Sequence, residues 1–172
     1  MSEETIYGNR KITDFHIPRW NELPDIELYI DQVVCYLDNS LSNYVYREKE
    51  GNILTKTMIN NYVKHSYIKP TTKKKYNREH ISNLFIICIL KQIYNINDIS
   101  ELIKLATKRV SIEVAYDKFC VELENAIRLV FARKEYINVE RTTTEEYIIK
   151  NIALSFANKL YVEKKVLKKF SK

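Results

Sequence analysis

Glycine is nearly missing from this chain: Gly8 and Gly51 are the only two in 172 residues. Tight hairpins whose central residues need positive φ therefore have almost no material to use. Glycine-rich phosphate loops and dinucleotide fingerprints are excluded as well, because both need several glycines where backbone approaches a phosphate. With only Pro18, Pro24 and Pro70 to interrupt it, the chain favours helices over sheets, and the expected fold class is all-α. No run approaches the roughly 18 apolar residues of a membrane span. The segment Met1 to Arg10 is polar and lacks the apolar stretch of a signal peptide. The expectation is a cytoplasmic protein with no membrane partner.

Catalytic and metal-binding patterns are equally scarce. Cys35, Cys88 and Cys120 are odd in number, far apart and set in apolar helical patterns, which reads as reduced core thiols and not as a disulfide or zinc framework. His16, His65 and His80 each lack a second ligand at helical i, i+3 or i, i+4 spacing, so no metal and no cofactor is expected. The acidic pairs Glu122/Glu124 and Glu145/Glu146 point to different sides of a helix and read as solubilising. No Ser, Cys or Lys stands in a nucleophile motif, and the chain is not expected to be an enzyme. Tyr116, Tyr136, Tyr147 and Tyr161 are chiefly core candidates that also have the spacing to line an effector pocket; the sequence names no effector.

What is present is an uneven distribution of charge. Residues 1–50 hold five Lys or Arg against ten Asp or Glu, whereas residues 51–80 hold seven against Glu79 alone. The remaining residues hold sixteen against eleven, with six basic residues between Lys159 and Lys172. A short segment this basic is a candidate phosphate-binding surface.

Hydrophobic periodicity orders the elements. An extended entry passes through Phe15, Ile17 and Trp20. A helix over 24–41 starts at Pro24 and carries Ile26, Ile30, Val33, Leu37 and Leu41 on one face. Asn43 to Asn52 is a polar loop. Thr55 N-caps a short helix to His65, in which Met58, Ile59, Tyr62 and Val63 fall within roughly 140 degrees of arc. A connection with Pro70 and three lysines leads to a centrally buried helix from Arg78 to about Tyr94, and a further helix begins near Asn97 or Asp98. Two long helices follow, over 111–134 and 144–170. At 172 residues the chain fits one compact core with an appended helical arm. The expected division is a head, 1–110, and a helical dimerisation or effector segment, 111–172.

The short helix carries the functional expectation. Sequence-specific readers place such a helix in the major groove, anchored on one side and polar on the other. Thr57, Asn60 and Asn61 are the base-reading candidates, since Asn bonds an adenine edge in two places. Thr55, Lys56, Lys64, Lys73, Lys74, Lys75, Tyr76 and Arg78 are the phosphate-binding candidates.

The run Leu54 to Lys64, then Tyr67-Ile-Lys-Pro70, then Tyr76-Asn-Arg-Glu-His-Ile-Ser-Asn-Leu84 resembles the DNA-binding head of MerR-type regulators. Ile59 and Tyr62 match its core positions, Asn60 and Asn61 its DNA-facing ones, and Ile68 and Pro70 its turn. The phrases Ile12 to Trp20, Thr55 to Lys64 and Lys74 to His80 resemble more closely an uncharacterised bacterial family, domain of unknown function eighteen-thirty-six, taken to comprise transcriptional regulators. The resemblance implies a winged helix-turn-helix head that binds double-stranded DNA, with a wing only five residues long between Pro70 and Tyr76. Polar Asn43 to Asn52 stands in place of the short helix that usually precedes the reader, and the helix over 24–41 supplies the missing support. Asn60 stands where an arginine is common, which shifts phosphate contacts to the three lysines. The expected assembly is a homodimer joined through the two long helices. A rival reading is a helical adaptor whose basic surface meets an acidic protein.

Overall fold

The computed structural model describes residues 6–7, 10–45, 51–134 and 143–167. Among them, chain order runs β1 (Ile6–Tyr7), β2 (Arg10–Lys11), β3 (Leu28–Tyr29), α1 (Ile30–Leu41), α2 (Lys56–Lys64), β4 (Lys75–Tyr76), α3 (Arg78–Leu90), α4 (Ile96–Ala106), α5 (Ile112–Phe131) and α6 (Thr144–Lys165). The protein is mostly helical. The strands form two minimal antiparallel pairs, β1 with β2 and β3 with β4. No helix among the described residues is long and apolar enough to cross a membrane.

Two compact units divide the chain, one of residues 18–117 and one that joins the described residues up to Ile17 with those from Lys118 onward. The sequence placed the division at 110/111 and kept the amino end with the head. Side chains near its end close the first unit on its beginning, since Trp20 N–H donates to the Asp117 carboxylate at 2.7 Å and the Tyr116 hydroxyl donates to the Pro18 carbonyl at 2.8 Å.

Within that unit, α3 is the central element. Asn77 caps it, its Oδ1 accepting the His80 N–H at 3.1 Å, and every residue from His80 to Leu90 is buried. This is the burial expected of a helix that is apolar nearly all round. Helix α1 begins six residues later than Pro24. Leu28 and Tyr29 are drawn into strand pairing with Tyr76 and Lys75, so the chain is still extended at Tyr29, which becomes the N-cap. Ile26, expected on the apolar face of α1, is 66% exposed. Val33, Val34, Leu37 and Leu41 form the buried stripe instead. Of the polar loop over 43–52, Tyr44 and Val45 are buried, and 46–50 lie outside the described residues. Helix α4, capped by Asn95 through the Asp98 N–H at 3.0 Å, buries only Ile99 fully.

The second unit is built on Phe15 and Ile17, on Phe119, Cys120, Leu123 and Ile127 of α5, and on Ile152, Phe156 and Leu160 of α6, all buried. Glu124, read as a solubilising residue, is buried here. Its carboxylate accepts the Ile17 N–H at 3.1 Å and lies 3.1 Å from His16 Nδ1 and 3.3 Å from Arg128. A long-range backbone donor of this kind leaves no local pattern in the sequence. Glu146 completes a capping box with Thr143, and a hydrogen bond from Lys118 at 2.7 Å holds its carboxyl below the usual range. Cys88 and Cys120 are buried, but Cys35, also expected in the core, is exposed on α1.

Candidate nucleic-acid interface

Helix α2 divides into two faces. Thr55 caps it, its Oγ1 accepting the Met58 N–H at 3.2 Å. Ile59 and Tyr62 are buried, at 0% and 7% exposure, which anchors one side. Thr57, Asn60, Asn61 and Lys64 are all exposed on the other. The three expected base-reading side chains thus share one solvent-facing helix surface. The buried Tyr62 hydroxyl has its pKa raised to about 12, chiefly by burial.

The helix ends where the chain turns left-handed at Ser66, φ 59°. Ser66 N–H donates to Val63 O at 3.1 Å and Tyr67 N–H to Tyr62 O at 2.9 Å, the two closing bonds of a Schellman motif. Glycine usually fills that position, and here serine does.

The wing is a tight hairpin turn over Thr72 to Lys75, closed by Lys75 N–H to Thr72 O at 3.0 Å. Its two central residues, Lys73 and Lys74, have φ of 51° and 59°, the pattern of a type I′ turn, which asparagine and glycine ordinarily occupy. The expectation that such turns lacked material is corrected: lysines take the positions, at about 1–2 kcal/mol of backbone strain each. Both are exposed at the tip. Lys75, in β4, lies with its Nζ 5.5 Å from the Tyr29 ring centroid.

Three of the phosphate candidates sit differently from expectation. Tyr76 is 4% exposed and packs edge-on against His80 at 5.7 Å between centroids. Burial raises its hydroxyl pKa. It is a core residue, so phosphate contact from this ring is removed from the reading. Arg78 is half-buried as the first residue of α3, and its Nε has no hydrogen-bond partner. Lys56 is exposed but ion-paired with Asp31 of α1. Lys69 pairs with Glu79 at 2.8 Å.

The start of α1 is what sequence reasoning missed. Tyr29 pairs with Lys75 in the strand register, and Asp31, two residues on, pairs with Lys56, so the start of α1 touches both the first residue of α2 and the end of the lysine turn. A depression of about 580 Å³ lies alongside, lined in part by Asp31, Cys35, Asp38, Thr55, Lys56 and Thr57. The only trace in the sequence was an aromatic and an acid at the edge of a helix whose start was placed too early.

The tyrosines considered for an effector pocket are placed separately. Tyr116 is fully buried, Tyr147 is exposed, Tyr161 accepts from Arg133 Nε at 3.2 Å, and Tyr136 lies outside the described residues. Of the histidines, His80 returns its ring to the Asn77 N–H at 3.2 Å, His65 is the C-cap of α2, and His16 lies beside Glu124. No group of three or more His, Cys, Asp or Glu suited to a metal occurs among the described residues.

The fold defines a mostly helical protein whose first unit carries a short helix and a short hairpin that each contact α1. The chain belongs to the family Domain of unknown function (DUF1836), which matches residues 18–119. That span coincides within two residues with the compact unit 18–117, so the family unit and the structural unit are the same object. No curated protein and no solved structure matches the chain.

Proposed function

We propose that this protein is a sequence-specific DNA-binding transcriptional regulator with a MerR-like winged helix-turn-helix head. One observation carries the reading: α2 is anchored by Ile59 and Tyr62 while Thr57, Asn60, Asn61 and Lys64 face solvent, and the lysine-tipped turn at 72–75 follows it in the same unit. Amide and hydroxyl groups on an anchored helix have the chemistry of base-edge readout. Exposed lysines on a neighbouring turn have the chemistry of phosphate contact. An adaptor surface would instead need exposed apolar anchors, and this face of α2 has none. The regulator works as a homodimer, two heads reading two half-sites.

Selection of bound fragments from random duplex DNA, followed by titration across a salt series, tests the reading. With Lys64, Lys73, Lys74 and Lys75 as contacts and Lys56 released from Asp31, about five phosphates are neutralised, and the log-log slope falls near −4 to −5. A flat salt response or an unenriched pool removes DNA as the partner.

A further inference from the structure

The first turn of α1 is joined to both halves of the proposed interface, and its two contacts act in opposite senses. Tyr29 is 56% exposed although its backbone is held twice, by pairing with Lys75 and by donating its N–H to Gln32 Oε1 at 2.9 Å. A large aromatic left open on a two-residue strand has no packing role that accounts for its size. Its ring face carries the Lys75 ammonium, a geometry in which the ring quadrupole attracts the cation and limits where a flexible side chain points. Asp31 engages the ammonium of Lys56, the first residue of α2. Both partners are more than half exposed, so the pair adds little to stability. It does place a negative charge beside a helix N-terminus that would otherwise attract phosphate.

We infer that Tyr29 and Asp31 are positioning residues of the DNA interface, Tyr29 holding the wing lysine Lys75 toward the backbone and Asp31 restraining Lys56 until a phosphate displaces it. The inference rests on the DNA-binding reading and specifies how its two basic elements are set. Restraint of Lys56 weakens binding to every sequence alike, and so leaves more of the total affinity to the base contacts of Thr57, Asn60 and Asn61. The acid acts as a brake on the phosphate-driven part of the affinity, for every sequence.

The test measures affinity and salt slope of the full chain on a selected duplex and on an unselected one. Asp31→Asn tightens both about three- to ten-fold at an unchanged slope, because Lys56 reaches its phosphate in either protein and only the cost of leaving Asp31 is removed. In a Lys56→Met background the same change loses most of its effect, which a merely structural role of Asp31 would not produce. Tyr29→Leu keeps apolar bulk and strand pairing but removes the ring face, and weakens binding about two- to five-fold; Tyr29→Phe restores it. Wild-type protein without salt-dependent DNA binding overturns the parent reading. Wild-type binding of the expected slope, with Asp31→Asn and Tyr29→Leu both unchanged and folded by circular dichroism, overturns the positioning role alone.

Discussion

Among the described residues, Ser66, Lys73, Lys74 and Arg133 adopt left-handed backbone conformations in a chain that has almost no glycine. Ser66 and Arg133 both close helices, with Lys134 N–H donating to Leu129 O at 3.1 Å in the second case. Each forgoes stability that glycine would supply. At the wing the same cost sits on two lysines, where strain and positive charge coincide. Changing the pair to Lys73→Asn and Lys74→Gly is expected to raise unfolding free energy by about 1 kcal/mol or more, read by urea denaturation, while weakening DNA binding and making the salt slope shallower by about two. Parallel loss of stability and binding would contradict the assignment. Lys164 shows a different residue-level conflict. It is 1% exposed, and burial, against the attraction of Glu163, lowers its pKa to about 8. Between pH 8 and the unfolded value near 10.5 the unfolded chain binds more protons, so stability rises with pH across that window. Lys164→Met is expected to flatten this rise in thermal unfolding measured as a function of pH.

At the scale of the element, α2 keeps its buried anchors and its proposed recognition side chains on opposite faces. Ile59→Ala removes a fully buried side chain and is expected to cost about 2–5 kcal/mol. Asn60→Ala and Asn61→Ala change exposed positions and are expected to stay within about 0.5 kcal/mol, while costing about 1–3 kcal/mol of discrimination at particular base pairs. Denaturation curves paired with binding to a panel of single-base variants of the selected site distinguish the two effects. Unaltered site preference in both Asn variants would remove α2 as the reader.

For the whole molecule, the dimer argument changes its footing. A homodimer joined through the two long helices needs apolar surface left open on them, yet Tyr116, Phe119, Leu123, Ile127, Ile152, Phe156 and Leu160 are buried within one chain. What stays open among the described residues is a smaller set: Val114 and Val121 on α5, Tyr147 and Val162 on α6, and Val166 and Leu167 just beyond its end. If these pair two copies, sedimentation at micromolar concentration gives the mass of two chains, and Val162→Lys with Val166→Glu returns it to one without unfolding the head. A single-chain mass for the wild type, with a selected site lacking inverted symmetry, would leave the dimer without support.

Periodicity and capping were local enough to be legible in the sequence. Thr55 caps the helix it precedes, the unbroken burial of α3 follows from its apolar run, and the two-faced character of α2 follows from the spacing of Ile59 and Tyr62, whereas the caps Asn77 and Asn95 were read only from the structure. These depend on residues within a few turns of one another, where 3.6-residue geometry decides what shares a face. Tertiary structure alone decided the rest. Leu28 and Tyr29 are strand and not helix because Lys75 and Tyr76, nearly fifty residues away, supply their partners. Glu124 is buried because Ile17 brings it a backbone donor. Tyr76 belongs to the core, and Tyr29 and Asp31 stand at the candidate interface, because pairing β3 with β4 and seating α1 on α2 put them there. Such contacts gain free energy only once distant segments meet, so no local spacing in the sequence records them.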